Sequence, residues 1–111
     1  MKRTFAALAA LAVAPGLAAA QVADGLYEIG QCAGVSDAQA RLSGSVIEFW
    51  ESRCDLTVPV NVRDMGGATL YDAVCTGEGQ EWSRRMLLMQ GPDGRLVVVQ
   101  AGFATTYQRC D

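Results

Sequence analysis

The segment from Cys75 to Arg85, CTGEGQEWSRR, gathers a thiol, two carboxyl groups, an indole and two adjacent guanidinium groups within eleven residues. Two kinds of chemistry are open to it. Glu78 and Glu81, with Glu48 and Glu51, are the acids from which a glycosidase-like carboxylate pair would be drawn, because that reaction needs two carboxyls at a suitable separation. Such acids ordinarily stand on solvated strand faces and in turns, which accounts for all four more economically. The second kind is recognition. Trp82, Arg84, Arg85 and Glu78 form a candidate partner surface, since tryptophan and arginine are enriched where binding energy concentrates. Against both stands a structural account, the corner of a hairpin: Gly77 and Gly79 flank Glu78 where a tight turn needs positive backbone dihedrals. Arg84 and Arg85 are consecutive and must point to opposite faces of a strand. Whichever faces inward requires a carboxylate, with Glu78, Asp72, Glu51 and Glu48 the nearest candidates.

The chain contains no histidine. Ser-His-Asp and Cys-His nucleophile systems, and most catalytic zinc sites, therefore cannot be assembled. No two of its four cysteines, Cys32, Cys54, Cys75 and Cys110, lie within the short step of a zinc site. If all four are bonded, no thiolate nucleophile is left. There is no nucleophile elbow, no phosphate-cradling loop and no dinucleotide fingerprint. No catalytic residue, metal ligand or cofactor is expected, and the chain reads as one that binds rather than catalyses.

The elements that must position these side chains read as strands. Short runs of β-branched and aromatic residues are broken by glycine. Gly25 to Ile29 is a first strand ending near Cys32, and Val35 to Gln39 is either a loop or one helical turn capped by Ser36 or Asp37. Arg41 to Ser43, a Gly44-Ser45 turn, and a strand from Val46 through Cys54 to Val58 make a hairpin. Pro59 to Gly67 reads as the longest loop, because proline cannot donate within a central ladder. Strands at 68–76, 81–90, 95–100 and 103–109 follow, the middle pair joined by Gly91-Pro92-Asp93-Gly94, a strong turn signal. Met86-Leu87-Leu88-Met89 cannot face one side only, so that stretch is either covered on both faces or meets a partner.

Sequence-adjacent strands joined by short turns form a small antiparallel meander, and closing it, or nearly closing it, into a barrel hides its edges. An all-β fold with two disulfides follows. Four cysteines allow three pairings. Meander parity favours Cys32–Cys110, at the ends of the first and last strands on one pole, and Cys54–Cys75, on neighbouring strands equally far from the Pro59–Gly67 loop.

Residues 1–20 have the form of a signal peptide: Lys2-Arg3, an apolar run, Pro15-Gly16, and Ala18-Ala19-Ala20 before the cut. The run is short for a bilayer core of about 30 Å, so no membrane insertion is expected after cleavage. Residues 21–111 then form a single β domain with seven arginines against twelve acids, a formal charge of −5. That balance disfavours nucleic acid and suits a basic protein partner. Export to the periplasm or beyond meets an oxidising compartment, which fits the disulfides. In a domain this small, cross-links worth about 2–4 kcal/mol each bear on whether it folds.

G-L-Y at Gly25, E-S-R-C at Cys54, C-T-G-E-G-Q-E-W from Cys75 to Trp82 and Y-Q-R-C from Tyr107 to Cys110 resemble a pattern in small exported four-cysteine bacterial proteins of unknown function. The resemblance spans most of residues 21–111 and implies shared structure, with no activity attached. A second resemblance, in size, export and acidity, is to periplasmic inhibitors of c-type lysozyme, which are small disulfide-linked β-barrels. Their S-G-x-x-Y-type loop corresponds to Ser43-Gly44-Ser45-Val46-Ile47, which lacks the tyrosine. The function expected is protein binding, with inhibition of a lysozyme-like enzyme or capture of a small ligand inside the barrel as alternatives.

Overall fold

A computed structural model describes residues 22–111; the expected leader lies outside them. Eight strands follow one another around a closed barrel: β1 Gly25–Glu28, β2 Gln39–Ser43, β3 Val46–Phe49, β4 Ser52–Asn61, β5 Ala68–Gly77, β6 Gln80–Gln90, β7 Leu96–Gln100 and β8 Phe103–Arg109. Every neighbour pair is antiparallel, and β1 pairs with β8 to close the wall through Tyr27↔Arg109 and Glu28↔Gln108. Among the described residues no helix is long and apolar enough to cross a membrane.

Two-residue turns set the register of four hairpins. Gly44-Ser45, Trp50-Glu51, Glu78-Gly79 and Ala101-Gly102 each join directly paired strand ends. Glu78 and Gly79 both have positive φ, 50° and 78°, the pattern whose twist matches that of the strands it joins. Gly77 serves differently. Its φ is ordinary, but a Cβ there would lie 2.5 Å from the Glu51 carbonyl oxygen, so it lets the β5–β6 turn pack against the β3–β4 turn.

Alternation puts one face of each strand inside. Tyr27, Ala40, Leu42, Ile47, Leu56, Tyr71, Ala73, Met86, Leu88, Leu96 and Val98 fill the interior together with the Cys54–Cys75 bridge. Met86 and Leu88 belong to this core, whereas Leu87 and Met89 lie half-buried on the outer wall beside Leu70, Val97 and Val99. The apolar run is thus covered fully on one face only.

Both expected disulfides are present. Cys54 and Cys75 stand directly opposite each other in the β4–β5 ladder. Only an odd number of strands, seven as read from the sequence, would put the ends of the first and last strands at one pole. Trp50-Glu51 turns the chain within the stretch read as one strand from Val46 to Val58, with Glu51 at φ 66°, giving an eighth strand. With an even number, β1 and β8 run in opposite directions and their ends lie at opposite poles. The bridge forms because the β1–β2 connection folds back over the outer wall, where Cys110 lies beside Leu26, its N–H donating to the Leu26 carbonyl at 2.8 Å.

Glu28 holds that connection down. Its side chain points outward yet is only 1% exposed. The carboxylate accepts from the backbone N–H groups of Ala33, Gly34 and Val35 at 3.0–3.1 Å and from Gln39 Nε2 at 3.1 Å. These donors, Gln39 first, hold its pKa below the ordinary 4.5 against the opposing effect of burial. The segment Ser36–Ala38 within the connection is a 3-10 turn entered from Val35 with no side-chain cap, so neither Ser36 nor Asp37 plays the expected capping part.

Pro59 lies inside β4 rather than in a loop. The β4–β5 register shifts between Thr57 and Val60, with Val58 at φ 52°, and the bulge places proline where no ladder donor is required. The loop proper is the shorter 62–67.

Candidate functional site

The core fills the barrel toward one pole, which carries the Gly44-Ser45 turn, the 62–67 loop and the turn at Pro92–Gly94. The other pole carries the turns at Trp50-Glu51, Glu78-Gly79 and Ala101-Gly102, and here the interior opens into a cavity of about 250 Å³. Its lining comes from inward-facing positions, from Phe49 of β3, Ser52 of β4, Gln100 of β7 and Phe103 of β8 at the strand ends down through Trp82 and Arg84 of β6 and Thr105 of β8 to Tyr107, which pairs with Leu96 at the far end of β7.

Strand geometry distributes the four candidate residues of the opening segment. Trp82 and Arg84 share the inward face with Met86 and Leu88, so both reach the mouth. Arg85 stands on the outer wall, where its Nε donates to Asp72 Oδ1 at 2.9 Å. Glu78 is on the rim, in the turn. The expectation that the inward arginine would be paired with a carboxylate is not met. Arg84 faces inward at an open mouth, stays exposed, and donates to Gln100 Oε1 at 2.6 Å while its guanidinium lies 5.9 Å from the centre of the Trp82 ring. Inward means buried only where the barrel is filled, and at this end it is not.

The rim is acidic and aromatic. Glu51 and Glu78 face each other across the close approach of the two turns at Gly77. Hydrogen bonding to the Glu78 carboxyl, then partial removal from water, then the charge of Glu78 raise the Glu51 pKa above its ordinary value. Trp50 in the β3–β4 turn and Phe103 at the start of β8 are each 54% exposed, Trp50 lying toward the outer wall beside Arg41 and Glu48 and Phe103 at the mouth of the cavity. Glu48 and Glu81 lie apart from this pair, on outward-facing positions paired with Arg53 and Thr76 in the ladders.

Tyr107 is only 7% exposed, lines the cavity, and its hydroxyl has no hydrogen-bond partner among the described residues; burial pushes its pKa up. Sequence reasoning passed over Phe49, Gln100, Phe103, Thr105 and Tyr107. The alternation Phe103-x-Thr105-x-Tyr107 is a legible one-face signal, but nothing in it says that the face lies where the core stops. Ser43 to Ile47, the segment aligned with an inhibitor loop, lies at the opposite pole, its Gly44 N–H tied to Asp24 Oδ1 at 2.9 Å. Compared with known proteins, the chain matches no family model, no curated protein and no solved structure.

Proposed function

We propose that this is an exported periplasmic binding module, acting by protein recognition rather than catalysis, whose partner docks on the open pole and presents a basic surface. The observation that carries the reading is the open pole itself, which exposes two large aromatics, Trp50 and Phe103, and on adjacent turns the facing carboxyls of Glu51 and Glu78. Apolar bodies supply contact area, and acids on a domain of formal charge −5 select and steer a cationic partner. A basic hydrolase such as a lysozyme is one partner of this kind. The same carboxyls are poorly suited to glycoside hydrolysis. They face each other closely enough to raise the pKa of Glu51, whereas that reaction needs carboxyl groups held apart, at least about 5 Å, around a sugar.

The test is co-purification from periplasmic extract with the oxidised protein and with a Trp50→Ala/Glu51→Gln/Glu78→Gln variant. A basic protein retained by the wild type, released by raised salt and lost with the rim variant is the expected result. A partner held equally by both proteins, or none at all, refutes the reading.

A further inference from the structure

The geometry points to the mouth of the barrel as a binding site for a carboxylate carried on a single aromatic ring. The inference rests on the binding reading above only in sharing its pole. Its residues are the inward-facing lining, of which Phe103 alone also reaches the rim.

Three observations converge. First, the cavity of about 250 Å³ is smaller than the roughly 300–1,000 Å³ of sites for drug-sized ligands, and Phe49, Trp82 and Phe103 provide flat apolar walls, so one ring with a short arm fits. Second, Arg84 brings an uncompensated positive charge to this space. No carboxylate of the described residues pairs with it; a neutral amide oxygen and the Trp82 ring hold its plane, leaving further N–H donors free. A guanidinium oriented in this way presents a fork that matches a carboxylate, and its single charge is balanced by a monoanion. Third, Tyr107, only 7% exposed as a residue, lines the same cavity and its hydroxyl has no partner among the described residues. A hydroxyl on the cavity wall with no partner in the chain is a group that a ligand oxygen satisfies. Ser52 and Thr105 add two more hydroxyls to the lining.

A free aromatic acid and the carboxy-terminal aromatic residue of a polypeptide share this chemistry, and the probes separate them. Phenylacetate and N-acetyl-glycyl-phenylalanine are titrated into the oxidised protein, following tryptophan emission and heat, alongside phenylacetamide and benzylammonium. At least one carboxylate is expected to bind at one equivalent, about tenfold or more tighter than the amide. Tighter binding of phenylacetate identifies a free acid as the source, and tighter binding of the dipeptide a chain terminus. Arg84→Gln should reduce the carboxylate to the affinity of the amide, and Tyr107→Phe should weaken it several-fold with an unchanged thermal midpoint. Should Tyr107→Phe perturb the fold, Arg84→Gln at an exposed position still decides. Equal affinity for acid and amide, preference for benzylammonium, indifference to Arg84→Gln, or no binding at millimolar concentration each overturn the inference. The rim variant separates the two readings, because it should lose the protein partner and keep the carboxylate.

Discussion

Glu28 and Glu51 show how far position decides the behaviour of one residue type. Glu28 is surrounded by four donors and its pKa is lowered; Glu51 faces another carboxyl and its pKa is raised. The consequences for stability have opposite signs. A lowered folded-state pKa gives stability that is present above the ordinary value of 4.5 and lost as pH falls through the depressed value. Glu28→Gln should therefore lower the thermal midpoint at neutral pH, and melts at successively lower pH should show the gap from wild type closing in acid. A gap independent of pH would mean that the hydrogen bonds, not the charge, hold the β1–β2 connection. The raised pKa of Glu51 acts the other way, favouring the folded state in acid and losing that contribution as pH rises through it. Neither environment was legible in the sequence. Glu28 reads there as an ordinary strand residue, because the amides that surround it come from a connection whose path over the wall depends on a bridge 78 residues long in sequence.

At the scale of elements, the turns carry more of the design than the strands. Most strands were legible from alternation, and the turns at Gly44-Ser45, Glu78-Gly79 and Ala101-Gly102 from their glycines. Trp50-Glu51 was not, because it contains no glycine and its left-handed residue is a glutamate. Missing that one turn removed a strand, inverted the direction of all that followed relative to β1, and hid the fact that two turns meet at the rim. Gly77 is the residue that lets them meet. Gly77→Ala forces its Cβ against the Glu51 carbonyl, which lies too close to be accommodated by a side-chain shift. Destabilisation of about 1–3 kcal/mol is expected from denaturant titration. In the same variant the Glu51 titration, followed by NMR, should move back toward its ordinary value as the carboxyls separate; an unchanged titration would show that the turns do not depend on this contact.

At the scale of the whole molecule, the barrel is uneven around its circumference. β5 and β6 pair along ten residues, whereas β1 and β8 meet at two and are supplemented by the Cys110–Leu26 hydrogen bond, Asp111 on the Leu26 N–H and Arg109 on the Asp24 carbonyl. The Cys32–Cys110 bridge spans this seam. By loop-closure entropy it contributes about 4.5 kcal/mol, against about 3.4 kcal/mol for Cys54–Cys75 with its shorter separation. A Cys32→Ser/Cys110→Ser variant should lose about 4 kcal/mol in urea, with the amides of β1 and β8 exchanging with solvent first; uniform loss of protection around the barrel would contradict the seam. Sequence parity reached the correct bridge by way of the wrong poles, since it could not foresee a connection doubling back. The seam also implies a hazard of assembly. When the bridge is reduced, β1 and β8 become two complementary free edges at the ends of one chain, and the β8 of one molecule can accept the β1 of the next. Growth of that kind has no natural stopping point, so the bond that closes the barrel also keeps each molecule from becoming a link in a chain.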